Sequence, residues 1–591
     1  MTVVLTGCSA APLAPAPVSH LPPPPTTKPL SPAPTLAPTS PMLVAPDSVP
    51  PEEQARYGAL RLDAQGALSA FGNRSARWSP NRRAIVFLSN RDGAWKAYTA
   101  GWGGLNLPPT LVSGPPGPIV DADFHPSGTG ILLAQAGGTL FLSDPETNTF
   151  RAWGPSGIRI EHTPLRASLS RSSIAIQAEE PRRVLLGTTE SPAERTVPLN
   201  EAALAALSPG GQRLLAIEHP GKADARIVEI DGSNHRHVLV GPRDGIRLEA
   251  AAYAPDGLSV IYAEKMEGRP SRVLRLGKRG PSTVFEAPDP TLEIVQLVSS
   301  ARSPSAAALT RSPSGMAVYL LQPSGYRKAR KVGLPEGVGS LGAFSRDGRA
   351  LTITWETPAG PSDIYEVTTD LGRLRKLRDD VRPTLAALDA MQWRRESIPS
   401  GDGAFEATVY EPAAEGPPAA PLQRAVVLLL GDEGPSTPAW RPSIRFLVGT
   451  GLVIVEPRVE GGAQSLSAIQ VTQWLDAMDG WLPTQSWWAE GKRAVIGRAD
   501  ACRHVLDALG RTPSPWVTVC SAPTSPADWQ FEGSSLEAWD MMLSGSSADA
   551  GPLVNTLREA GARVEYAVSE EPSARLAREA LFLQRAFGLV R

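Results

Sequence analysis

The run Gly497-Arg498-Ala499-Asp500-Ala501 follows the apolar stretch Arg493–Ile496 and leads straight into a helical pattern that reaches Leu509. A strand that ends in small residues and turns sharply into a helix is the layout of a nucleophile elbow, where G-x-S-x-G exposes a serine hydroxyl at a strained corner. The chemistry would be attack on an acyl carbon, with a neighbouring base taking the hydroxyl proton. Laid on that pattern, the first glycine is Gly497, the serine slot is Ala499 and the last glycine is Ala501. A methyl group has no lone pair to donate, so the corner reads as a scaffold without its attacking atom. The same residues also fit an ordinary buried strand running into a helix, and only the rest of the chain separates the two readings.

Other groups near the corner offer less. Cys502 lies three residues past the slot and His504 two beyond that. Residues i and i+2 of a helix do not face each other, so thiol and imidazole would not meet, and Cys502 reads as a buried structural thiol. Arg498, Asp500 and Arg503 form a charged cluster that would suit a ligand, although a local ion pair on a solvated turn is its commoner meaning. Trp474, Trp481, Trp487 and Trp488 read first as packing and second as a peptide-binding surface. No metal-ligand spacing, phosphate loop or dinucleotide fingerprint occurs, so no cofactor is expected.

At 591 residues the chain exceeds what one hydrophobic core supports, and at least two domains are expected. A net charge of −2 gives no sign of a nucleic-acid partner. Three cysteines are too few for a disulfide framework, and whether Cys502 and Cys520 are bridged stays open at this level. There is no apolar run of membrane-spanning length.

Val3-Val4-Leu5-Thr6-Gly7-Cys8-Ser9 resembles a bacterial lipobox, in which the cysteine is acylated and becomes the first residue of the mature protein. Only seven residues precede Cys8, too few for a signal core, which places the expected start upstream. Ala10 to about Pro51 is rich in Pro, Ala, Ser and Thr with almost no charge, a composition that cannot build a core and acts as a tether. An acyl group on Cys8 would make this a lipid-anchored envelope protein, touching the membrane through the anchor alone. Ser9 stands where an inner-membrane retention aspartate would be, so the expected site is the outer membrane, facing the periplasm.

Between Glu52 and Pro383 the chain repeats. Ser79-Pro80-Asn81, His125-Pro126-Ser127-Gly128, Ser170-Arg171-Ser172, Ser208-Pro209-Gly210-Gly211, Ala254-Pro255-Asp256-Gly257, Ser303-Pro304-Ser305 and Ser345-Arg346-Asp347-Gly348 each precede a β-like run. The recurrence of roughly 38 to 49 residues is that of a four-stranded propeller blade, and seven anchors predict seven blades. The anchors resemble the S-P-D-G signature of TolB-like and dipeptidyl-peptidase-like propellers. After Pro383 the pattern changes. Phe405–Tyr410, Ala425–Leu430, Leu452–Glu456, Ala494–Ile496, Trp516–Cys520 and Arg563–Val568 read as strands, and Ser465–Met478, Ala501–Leu509, Pro552–Ala560 and Ala574–Phe587 as helices, which predicts a doubly wound α/β sheet. The expected organisation is therefore a lipobox at 1–8, a tether at 9–52, a β-propeller at 53–385 and an α/β-hydrolase-like domain at 386–591.

A propeller followed by an α/β domain with an elbow resembles the prolyl oligopeptidase family of serine peptidases. Ile398–Pro412 looks like the hairpin that opens that family's catalytic domain, Val426–Gly434 sits where the family has H-G-G-P, and Pro457–Gly462 where it has an R-G-S-x-G-like loop. The resemblance implies a triad in the order Ser, Asp, His, and each slot departs from it. The nucleophile slot is Ala499; the acid slot is Ala548, with Asp549 one place late; the loop Ser569–Ala574 has no histidine. Asp432 and Glu433 occupy the oxyanion loop, where negative charge is of the wrong sign. The expectation is a non-catalytic protein- or peptide-binding scaffold in which Asp432, Glu433, Arg498 and Asp500 line a cavity. The competing expectation is an active peptidase or esterase of the same family with an atypical site.

Overall fold

The computed structural model describes residues 47–591 apart from 102–106, 126, 137, 155–165, 169–172, 180–181, 189–194, 200, 313, 323–328, 387, 389, 402, 414–422, 432–437, 460–465, 512–515, 524–538, 546–549, 570 and 590–591. Cys8 and the tether up to residue 46 lie outside these residues, while 47–52 are described and end in a short helical turn, Pro51–Glu53.

From Asn73 to Lys376 the chain lays down seven four-stranded antiparallel sheets in succession, each built from strands consecutive in sequence. The anchors explain why. In the second blade the His125 amide donates to Gly130 O and the Gly128 amide to His125 O. Ser208 with Gly211, Ala254 with Gly257 and Ser345 with Gly348 repeat that pair of bonds. The third bond-forming residue needs a left-handed backbone, and Gly128, Gly211, Gly257 and Gly348 have φ of 81, 71, 65 and 69°. Arg82 takes the same place in the first blade at φ 57°. In the sixth blade the turn begins at Ser300, before the Ser303-Pro304 pair that marks it in sequence. The Ser170 anchor lies outside the described residues, but its blade is present as 166–198.

No strand is shared between the first and last blades, so side chains close the ring. Asn73, fully buried, donates to Asp363 at 3.0 Å and Asp380 at 2.9 Å. Thr352 Oγ1 donates to the Ala76 carbonyl at 2.8 Å, and Arg82 meets Asp347 at 3.1 Å.

The second region is one eight-stranded sheet: β1 Met391–Ser400, β2 Gly403–Pro412, β3 Arg424–Leu430, β4 Val453–Pro457, β5 Trp488–Arg498, β6 Val517–Ser521, β7 Asp540–Gly545 and β8 Arg563–Val568. Their order is β1-β2-β4-β3-β5-β6-β7-β8; β1, β2 and β4 pair antiparallel and every later pair is parallel. Among the described residues, α1 Gln54–Leu68 lies over the helices α2 Pro442–Gly449 and α6 Pro572–Ala586, and these two, with α3 Ala468–Trp481, α4 Ala501–Arg511 and α5 Gly551–Glu559, pack on the sheet; a single helical turn at Pro383–Ala386 touches α1. Val426, Leu428 and Leu430 of β3 enter the core under α3, α4 and α5, while Ala425, Val427 and Leu429 enter the opposite core under α1, α2 and α6. Burial on both faces is why central parallel strands read as unbroken apolar runs.

One boundary and one strand differ from the sequence reading. The blades start at Asn73, not at 53: α1 packs on α2 and α6 and buries Leu60, Ala64 and Ala67 in the core of the sheet. Just before it, the Asp47 amide donates to Tyr566 O at 2.7 Å and the Asp47 carboxylate accepts from the Tyr566 amide at 2.8 Å, capping part of the exposed edge of β8. Strand β7, Asp-Met-Met-Leu-Ser-Gly, was not anticipated, since it is short and has no β-branched residue. The propeller meets the sheet at Arg395, which bonds Ser314 O and Glu336, and at the Trp440 amide, which donates to Glu356 at 2.7 Å. Among the described residues no helix is long and apolar enough to cross a membrane.

Candidate functional site

Strand β5 hands the chain to α4 through Ala499 and Asp500. Ala499 has φ 48°, a left-handed conformation that costs an alanine about 1 kcal/mol or more, and it is exposed. Three contacts hold it there. Its amide donates to Ser521 O at 3.0 Å, its carbonyl accepts from the Cys502 amide at 3.2 Å, and the Asp500 carbonyl accepts from the Arg503 amide at 3.2 Å.

The residues around the corner have to be small. A Cβ on Gly497 would sit 2.7 Å from Cys502 Cα, and one on Gly431 would sit 2.5 Å from Ala501 Cβ and 2.6 Å from Arg498 O. Both distances are shorter than packed atoms tolerate, so Gly431, Gly497 and Ala501 are kept small by the close approach of strand, helix and the end of β3. Helix α4 then buries Ala501, Cys502, Val505, Leu506, Ala508 and Leu509 and leaves Arg503 outside, 4.0 Å from Asp507.

Cys502 is not a thiol here, as the sequence reading had it. It is bridged to Cys520 of β6, with Cα atoms 5.2 Å apart. The bridge ties the first turn of α4 to the neighbouring strand across a short loop, which in the chain-entropy account is worth about 3 kcal/mol. His504 is half-buried two positions along, and with Cys502 occupied no thiol–imidazole pair can form.

The charged cluster read at the corner comes apart. Asp500 is exposed, whereas the Arg498 side chain turns inward, 14% exposed, donating to Ser443 Oγ at the start of α2 at 2.9 Å. Its Nη2 lies 4.0 Å from Oε2 of Glu579, a fully buried carboxylate on α6. Glu579 Oε1 accepts from Ser521 Oγ at 2.5 Å and Ser544 Oγ at 2.8 Å, hydroxyls at the carboxyl ends of β6 and β7. Arg498 therefore serves as partner to a buried anion beneath the corner rather than as a cavity wall. Sequence reading missed Glu579. The available signal was a carboxylate on the apolar stripe of α6, three residues after Leu576 and four before Leu583.

Asp432, Glu433, Ala548 and Asp549 lie outside the described residues, as do 460–465 and 524–538, whereas the loop 569–574 is described apart from 570 and runs into α6 with Ser573 and Ala574 buried. The four tryptophans are packing: Trp474 and Trp481 are buried under the sheet, with Trp487 and Trp488 against them, and Trp481 and Trp487 meet edge-on at 6.1 Å. Among the described residues no group of three or more His, Cys, Asp or Glu is arranged to hold a metal.

No family pattern matches the sequence, and no curated protein matches it. Solved structures do. Prolyl oligopeptidase B from Galerina marginata without ligand superposes with a TM-score of 0.71 at 12% identity, over 91% of this chain and 92% of that one. A structure from a study of two prolyl endopeptidases gives 0.70 at 11% identity, over 91% and 90%. The Galerina marginata enzyme bound to a 25mer macrocyclization substrate gives 0.61 at 12% identity, over 91% and 92%. At such identity the likeness is one of fold, and the fold of this chain, seven-bladed propeller and sheet together, is that of the prolyl oligopeptidases.

Proposed function

We propose that this protein is a non-catalytic member of the prolyl-oligopeptidase fold class that binds a peptide or protein at the cell envelope. The strand order and two-sided helix packing of the second region support reading it as an α/β-hydrolase-like domain. The observation that carries the proposal is Ala499: the strained left-handed corner is kept, and what it presents to solvent is a methyl group. Loss of single triad members costs enzymes of this type about four to six orders of magnitude, and here Ala499, Ala548 and the histidine-free loop 569–574 stand in all three slots.

A binding role is supported by the fold neighbour that holds a 25mer peptide. An envelope location is supported by the lipobox-like Cys8, the Pro-rich tether and the Cys502–Cys520 bridge, since disulfides persist in oxidising compartments. Acylated Cys8 would hold the protein at the outer membrane, facing the periplasm.

The test is labelling of the purified protein with a fluorophosphonate probe, which is expected to give no adduct, together with Ala499→Ser, which is expected to remain without peptidase or esterase turnover. Labelling of any residue in 386–591, or turnover by either protein, would favour the active-peptidase reading instead.

A further inference from the structure

The inner strands of the blades converge on an axial channel with two ends of different character. One end faces the sheet. There lie the turn at Ser314, which bonds Arg395, and Glu356, which bonds the Trp440 amide; the first follows the second strand of its blade and the other is at the carboxyl end of the second strand of its own. Because the strands of a blade alternate in direction, the carboxyl ends of the inner strands and the anchors that follow them lie at the opposite end. A cavity of about 220 Å³ opens there. That is below the roughly 300–1,000 Å³ of drug-sized pockets and fits one residue of a peptide.

Its lining joins cations to an apolar floor. Arg77, Arg302 and Arg346 stand around it with a single carboxylate, Asp123, and Ala252 and Phe344 form part of its wall. Arg302 and Arg346 are exposed, and their guanidinium groups make no hydrogen bond or ion pair with the described residues. The acidic residues of the nearby anchors do not neutralise them. Asp256 is held by Arg275 at 2.7 Å and Asp347 by Arg82 at 3.1 Å, and hydrogen bonds from Ser259, Leu258 and Arg275 outweigh the burial of Asp256 and keep its carboxyl near 2. The mouth therefore presents surplus positive charge over an apolar hollow.

We propose that this mouth binds the C-terminal residue of a peptide, its carboxylate between Arg302 and Arg346 and its apolar side chain against Ala252 and Phe344. Guanidinium recognises carboxylate in planar, paired geometry, so two arginines lining one hollow suit a terminal carboxylate. Asp123, across the cavity, accepts from the Phe124 amide at 2.7 Å, and its charge repels the second charge of a phosphate. The site is on the face away from Ala499 and does not depend on whether the elbow is catalytic.

The experiment uses the full chain and an N-terminally fluorescent Ala-Ala-Leu peptide, as free acid and as carboxamide, read by anisotropy, with inorganic phosphate as competitor. The free acid is expected to bind at least about tenfold tighter than the amide, and the double variant Arg302→Gln with Arg346→Gln to lose at least about tenfold for the acid while its melting temperature is unchanged. Equal binding of acid and amide, equal binding by the double variant, or no binding of the acid in the millimolar range would each overturn the proposal. Phosphate displacing the peptide at equal concentration would also overturn it, by marking a general anion site. Fluorophosphonate labelling does not read this mouth, so failure here is separable from failure of the non-catalytic reading.

Discussion

The propeller and the sheet are held by different physics. In the propeller, apolar clusters form between neighbouring blades, and polar side chains sew one inner strand to the next. Gln296 both donates to and accepts from the Leu341 backbone at 2.9 Å, Thr352 reaches Ala76, and Asn73 closes the ring. In the sheet, two continuous cores lie above and below, and buried charge is concentrated in a few spots such as Glu579 beneath the elbow and the Arg441–Glu456 pair at the end of β4. The difference teaches where each region is vulnerable. A blade seam spreads its polar bonds over many partners, whereas the elbow rests on one carboxylate that serves two hydroxyls and an arginine.

If that contrast is right, the largest effect belongs to Glu579. Glu579→Leu takes the acceptor from Ser521 and Ser544 and the counter-charge from Arg498, and breaking a buried ion pair typically costs about 3–5 kcal/mol. Urea unfolding of the full chain should show that loss, with Glu579→Gln intermediate because it keeps one acceptor oxygen. A loss under about 1 kcal/mol for the leucine variant would place the elbow's stability in its apolar packing instead.

Asn73→Ala is the matching cut in the propeller. It leaves Asp363 and Asp380 with their arginine partners Arg382 and Arg378, so the expected cost is about 1–3 kcal/mol, less than at Glu579. Equal or greater loss at Asn73 would mean that the ring seam, not the elbow, is the more concentrated site.

A smaller effect of opposite sign is expected at the corner itself. Ala499→Gly removes left-handed strain and should stabilise by up to about 1 kcal/mol, part of the gain being lost to the freer unfolded chain. Ala522, also at φ 48°, is at the end of β6, and Ala522→Gly is the control. Destabilisation of both would show that the surrounding bonds, and not strain, set the energy of these turns.

An effect of a different kind is a pH dependence in the propeller. Burial first, and then the neighbouring Glu293, push Glu249 up from 4.5 to about 7. Its folded value lies above its unfolded one, so protonation favours the folded state. The stability is therefore highest below the ordinary carboxylate range, falls as pH rises through about 4.5 to 7, and stays lowered above that. Glu249→Gln should raise the melting temperature at about pH 8 and leave it unchanged at about pH 4; no difference at the higher pH would remove Glu249 as the cause.

How much was legible follows from the range of the interactions. The blades could be counted because the anchors are local turns, four of them with a glycine that answers a local positive φ, as at Gly211 and Gly348. The elbow could be found because Gly497 and Ala501 are small for reasons set within a few residues of the corner. The assignment of α1 to the sheet could not be read, since its weak apolar stripe is completed by helix α6 more than 500 residues later, through Arg56 with Gln584 and Arg585 with Glu53. Strand β7 escaped because its pairing with β6 and β8 is what makes it a strand.

The site divides in the same way. The sequence by itself determined that no hydroxyl stands at position 499 and that 569–574 has no histidine, because residue identity alone decides which atoms are present. Only the tertiary structure decided that Arg498 faces Glu579 rather than a ligand, that Cys502 is bridged to Cys520, and that Arg302 and Arg346 line one cavity. Each of those facts joins residues that the chain brings together only when the sheet and the ring close, and no local pattern encodes where a distant strand will lie.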